Sequence, residues 1–155
     1  MIQSKSKVIQ DAEGSVTLSW LTPGVLYARY ERALSAELGK AVAATLYAQV
    51  SRVDACEAYL DTSKLTSYDL VARSAFIEVV RQHREKLTAL VILPWKASVS
   101  KPTRDVLKGL GEPTEIVADR NEFDLRLLRI EPSAPQLLAS LRSLASEQRR
   151  AFSTG

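Results

Sequence analysis

Cysteine is almost missing: Cys56 stands alone, so no internal disulfide can form, and a single histidine, His83, leaves no cluster able to build a structural zinc site. A reducing compartment, the cytoplasm, is expected. Long apolar runs are absent too. No window approaches the ~20 apolar residues of a membrane-spanning helix. Behind the lysines of Met1-Ile2-Gln3-Ser4-Lys5-Ser6-Lys7 there is none of the apolar stretch that a secretory leader carries. Glycine and proline number only six each, and with 46% hydrophobic and 25% charged residues the balance excludes fibrous and disordered chains. Basic clusters are scarce despite a net charge of +3 and a pI near 9.1. Arg149-Arg150 is the one basic doublet and acids interleave elsewhere, which argues against nucleic acid as a partner. No nucleophile–base pair, metal cluster or glycine-rich phosphate loop stands at a motif spacing, so neither catalysis nor a cofactor is expected.

What is present reads as one α/β domain, since 155 residues bury a single core. Val8–Gln10 and Ser15–Leu21 predict a hairpin around Asp11-Ala12-Glu13-Gly14, and Val25–Glu31 a third strand. Ser35 is placed to cap an amphipathic helix in which Leu38, Val42, Leu46, Val50 and Val53 share a face. Glu57–Leu60 predicts a short strand ending in Asp61, followed by a polar loop over Thr62–Ser67 and a second helix from about Tyr68 to Lys86. The run Ala89-Leu90-Val91-Ile92-Leu93 suits a strand covered on both faces, with Pro94 as its stop. Beyond it the pattern predicts a short helix near Pro102–Leu110, a strand at Glu115–Ala118 and a helix opening at Asn121. A terminal helix over Ala134–Phe152 carries Leu137, Leu138, Leu141 and Leu144 on one stripe. Strands alternating with helices imply a mixed, mostly parallel sheet with crossover helices. The expected divisions are a segment 1–14 holding the first hairpin strand, an α/β domain over 15–130, and a helix with its tail over 131–155.

The stretch Ala58-Tyr59-Leu60-Asp61-Thr62-Ser63-Lys64-Leu65-Thr66-Ser67-Tyr68-Asp69, in this order of elements, resembles the STAS domain, the fold of anti-sigma-factor antagonists. In that family an apolar strand ends in Asp and a small polar residue, and an Asp-Ser-Ser-Gly later opens a helix. Asp61 and Asp69 match the two acids. Leu70 stands where the family has its phosphoacceptor serine, Val71 follows it, and Ala72 replaces the glycine. The resemblance therefore implies a bacterial, regulatory signalling module that binds another protein without the usual kinase-controlled switch.

The partner surface implied comprises Asp61, Ser63, Lys64, Thr66, Ser67, Asp69 and Arg73, with Trp95 as an anchor beyond the central strand. Each residue also has a plainer role. Asp69 or Ser67 can simply cap the second helix, and the hydroxyls can be solvated loop residues. Any phosphate in this segment is expected on Ser63, Thr66 or Ser67. His83 reads as a rim residue near a helix end, and Cys56, between acids, as structural. Asp119–Asp124 lacks the central glycine and distal glutamate of a calcium loop and reads as a helix start. Related folds bind apolar ligands, so a lipid carrier is the alternative, provided that a cavity opens between sheet and helices. Self-assembly into a homo-oligomer through the terminal leucine stripe is the second.

Overall fold

In the computed structural model, which describes residues 6–94 and 114–130, the chain opens with the predicted hairpin. Strand β1 (Ser6–Gln10) pairs antiparallel with β2 (Gly14–Thr22). Asp11 sets the turn: its Oδ1 accepts the backbone N–H groups of Glu13 and Gly14 at 2.8 and 2.9 Å. Its Oδ2 accepts the Ser35 hydroxyl at 2.6 Å, and Ser35 Oγ in turn caps the next helix by accepting Leu38 N–H. The Ser35 hydroxyl first, then the Gly14 and Glu13 amides, hold the Asp11 carboxyl below the usual carboxylate range.

Strand β3 (Val25–Leu34) pairs antiparallel with β2 and runs three residues past the expected end. Arg32, opposite Gly14, takes φ 65°, a conformation that disfavours side chains by about 1–2 kcal/mol. Helix α1 (Ala36–Ser51) follows, then β4 (Cys56–Tyr68), α2 (Leu70–Gln82) and β5 (Leu87–Leu93). Strand β6 (Thr114–Ile116) closes the described sheet, and α3 (Arg120–Ile130) follows it. The order across the sheet is β1-β2-β3-β4-β5-β6, with β3, β4, β5 and β6 parallel. This is the mixed α/β sheet with crossover helices that the pattern implied.

One expectation fails in an informative way. The polar stretch Thr62–Ser67 is no loop: β4 continues through it to Tyr68, paired with β3. Leu65 is buried and anchors this half of the strand. Two register shifts against β3, between Arg29 and Glu31 and between Arg32 and Ala33, take up the extra β4 residues as bulges. Smaller differences lie at helix ends, where α1 stops at Ser51 and α2 at Gln82. Trp95, the predicted helix at 102–110 and the terminal leucine stripe lie outside the described residues.

The chain forms two compact units, Met1–Arg120 and Asn121–Gly155. In the first, α1 and α2 cover one face of the sheet. Their Leu38, Val42, Leu46, Val50 and Val80 join Val16, Leu18, Leu26, Leu60, Leu90 and Ile92 in one core. Lys86 Nζ donates to the Ser51 carbonyl at 3.0 Å, supplying the positive charge that the last turn of α1 lacks. In the second unit, Glu122 and Arg126 pair at 3.1 Å one turn apart along α3.

The helices meet where Gly39 faces Ala72. A Cβ added at Gly39 would lie 2.2 Å from the Ala72 Cβ and 2.6 Å from its Cα. Alanine at a helical position normally gains about 1 kcal/mol over glycine. Here overpacking of about 1–3 kcal/mol outweighs it, so Gly39→Ala is expected to lower the denaturant midpoint. A raised midpoint would mean that the helices part freely at this crossing.

Candidate functional site

The start of α2 is built by β4. Backbone pairing carries the strand out to Tyr68, and Asp69 N–H donates to the Leu34 carbonyl at 2.9 Å, which fixes where the helix begins. Asp69 is its N-cap: with extended φ and ψ, its Oδ1 accepts Val71 N–H at 2.8 Å. Strand alternation turns Lys64 outward and Leu65 inward. The second bulge breaks the alternation so that Thr66 and Ser67 are both exposed. Past the cap, Leu70 is 63% and Val71 45% exposed, whereas Ala72 is buried against Gly39. Lys64, Thr66, Ser67, Asp69, Leu70 and Val71 thus line one accessible stretch. Arg73, one turn on, is half-buried, and its Nε is buried without a hydrogen-bond partner among the described residues.

Asp61 belongs to a different place. It lies five strand steps from Tyr68 as measured along β3, a backbone distance of about 16 Å, and it is only 2% exposed. Its Oδ2 accepts Arg120 Nη2 at 2.8 Å and the Tyr27 hydroxyl at 3.3 Å. Its Oδ1 accepts both the backbone N–H of Ser63, at 2.9 Å, and the Ser63 hydroxyl, at 2.5 Å. Arg120 Nη2 also reaches Ser63 Oγ at 2.6 Å. Burial by itself would raise the Asp61 carboxyl; the Ser63 hydroxyl, the Arg120 charge and the Ser63 amide together outweigh it, so the group sits below its ordinary value. Burial and the neighbouring carboxylate push the Tyr27 phenol up, which keeps its proton in place as a donor. The two acids matched in the sequence therefore stand apart, one a buried ionic support and the other an exposed helix cap.

His83 is buried, not at a rim. It ends α2, stacks at a tilt on Tyr47 with ring centroids 4.6 Å apart, and its Nε2 has no hydrogen-bond partner among the described residues. It lines a cavity of about 30 Å³ together with Leu26, Leu46, Leu60, Phe76 and Val80. That volume suits one water molecule; organic ligands need roughly 300–1,000 Å³. Cys56 is buried, and burial more than Glu57 pushes its thiol up to about 11, so it is a poor nucleophile. Among the described residues no group of three histidine, cysteine or acidic side chains is placed to hold a metal ion.

Sequence reasoning missed Tyr27 and Arg120. Arg120 lies 59 residues from Asp61 in sequence, and no local pattern connects them. The exposure of Leu70 and Val71 did have a signal: both follow the capping Asp69 and stand off the Ala72–Phe76–Val79–Val80 stripe.

No protein-family model matches the sequence, and no curated protein matches it either. Solved structures do. The fold is similar to that of an uncharacterised DUF3478-family protein from Shewanella loihica PV-4, described as having a SpoIIAA-like fold. The TM-score is 0.51 at 12% identity, covering 76% of this chain and 88% of that one. It is also similar to the anti-sigma factor antagonist SpoIIAA in its unphosphorylated form, with a TM-score of 0.52 at 14% identity, covering 74% of this chain and 97% of that one. The chain shares the SpoIIAA-like fold of these structures.

Proposed function

We propose that the chain is a non-catalytic, regulatory protein-interaction module whose docking surface is the start of α2. The observation that carries this reading is the exposure of Leu70 and Val71 in the first helical turn, 63% and 45%, beside the exposed polar row Lys64, Thr66, Ser67 and Asp69. Adjacent exposed apolar side chains rimmed by polar ones are the composition of an interaction site. Arg73 lies one turn further along the same helix. The likeness to an anti-sigma factor antagonist, a protein described by its action on another protein, supports the same reading. Leucine at position 70 accepts no phosphate, so docking here is constitutive at this residue.

The chain as a whole, immobilised in extract of its own cell, is expected to retain a discrete protein partner. The variant Leu70→Gln/Val71→Gln is expected to lose it while keeping its melting profile, because glutamine suits an exposed helix and surface substitutions usually change stability by less than ~0.5 kcal/mol. Retention of the same partner by the folded variant would remove this surface from consideration. Among the described residues no helix is long and apolar enough to cross a membrane.

A further inference from the structure

Strand β1 is the outer edge of the described sheet: it pairs with β2 on one side, and among the described residues no strand pairs with the other. The hydrogen bonds around it fix which backbone groups face outward. Asp11 N–H donates to the Gly14 carbonyl at 3.0 Å, and Ala33 N–H to the Glu13 carbonyl at 3.2 Å. Bonded and non-bonded pairs alternate along an antiparallel ladder. Lys7 and Ile9 therefore exchange their bonds with Leu18 and Val16, and Ser6, Val8 and Gln10 turn N–H and C=O away from β2. Proline and bulges, which blunt free edges, are absent from β1. Its one charge, Lys7, shares the face of Ile9, which packs against the core, and Val8 at the centre of the strand is 57% exposed.

From this geometry we infer that β1 is a self-association edge: it pairs antiparallel with β1 of a second copy of the chain, about a two-fold axis at Val8, and joins two sheets into one. In that register Val8 exchanges both backbone bonds with Val8 of the copy, and Ser6 exchanges both with Gln10 of the copy. The exposed Val8 side chains meet across the axis as an apolar cross-strand pair. On the other face Lys7 stands opposite Ile9 of the copy and diagonal to its Asp11, so charges of opposite sign approach and no like charges stand directly opposite. The strand is thus its own complement, which is what selects a second copy as the occupant. Shifting the register by one ladder step sets Lys7 against Lys7 of the copy, and a step the other way leaves Ser6 without a partner. The inference does not rest on docking at the start of α2.

The test follows the purified full chain by sedimentation equilibrium over about a hundredfold range of concentration. Wild type is expected to pass from monomer to dimer mass as concentration rises; pairing through a five-residue strand is small for an interface, so a reversible dimer is expected. Val8→Pro removes the central outward donor but no bond to β2, so it is expected to keep its melting profile and to associate about tenfold more weakly or worse. Cross-linking reads the register. Cys56 is buried, so a cysteine introduced on β1 is the reactive thiol, and the Cα atoms of a bonded antiparallel pair, about 5.5 Å apart, suit a disulfide. With oxidised glutathione, Val8→Cys is expected to form a covalent dimer, as is a mixture of Ser6→Cys with Gln10→Cys, while Lys7→Cys alone reacts about tenfold more slowly or worse. Monomer mass for wild type throughout, or undiminished association of Val8→Pro, overturns the pairing. Wild-type dimers without cross-linking of Val8→Cys place the contact elsewhere and overturn it too, and faster cross-linking of Lys7→Cys than of Val8→Cys overturns the register. Where Val8→Pro melts below wild type, the cysteine variants decide alone.

Discussion

Truncating Ile92 to alanine is expected to destabilise the protein by about 2–5 kcal/mol. Ile92 sits mid-sheet in β5, with Leu60 of β4 on one side and Ile116 of β6 on the other. It is 5% exposed, and its side chain belongs to the core beneath α1 and α2. Removal leaves a void that the paired backbones on both sides cannot close. Denaturant titration measures the loss directly, and a value below ~1 kcal/mol would make β5 peripheral.

The second large effect concerns Arg120 and Asp61. Arg120→Leu leaves a buried carboxylate with, among the described residues, only Ser63 and Tyr27 as donors. The expected loss at neutral pH is about 2–3 kcal/mol, below the full figure for a buried pair because Arg120 is partly hydrated. Asp61→Asn leaves a cation that water can reach and is expected to lose only about 1 kcal/mol. The pH dependence separates the two causes. In wild type the Asp61 carboxyl sits below its unfolded value, so the pair's contribution is present above about pH 3.9 and is lost as pH falls through the folded value. Loss of Arg120 removes its charge and its hydrogen bond while burial stays, so the folded value of the carboxyl moves up and the variant gains less stability than wild type as pH climbs through the carboxylate range. The gap between wild type and Arg120→Leu is therefore expected to widen from pH 4 to pH 7 in paired denaturant melts. A constant gap would mean that Arg120 acts through packing alone.

Local chemistry made much of the fold legible. Asp11-Ala12-Glu13-Gly14 carries its turn in its side chains, Ser35 its cap, and the apolar run around Leu90–Leu93 its burial. The second half of β4 was not legible. Thr, Ser and Lys suit a loop as well as a solvent-facing strand, and what decides between them is pairing with β3, some thirty residues earlier, through two bulges that leave no trace in spacing. The polar character of the surface at Lys64, Thr66, Ser67 and Asp69 was readable from composition. The burial of Asp61 was not, because Arg120 comes to it from 59 residues away. His83 misled for a related reason: helix position places it at an end, but Tyr47 of α1 packs over it.

The central claim is that Leu70 and Val71 are anchors of a docking surface, and the dissociation constant for the captured partner tests it most directly. Wild type and Leu70→Gln/Val71→Gln are to be titrated side by side, with denaturant midpoints taken on the same samples. Buried apolar anchors contribute about 2 kcal/mol or more each, so the constant is expected to rise well over tenfold while the midpoint stays put. Equal dissociation constants in two equally stable proteins would contradict the account.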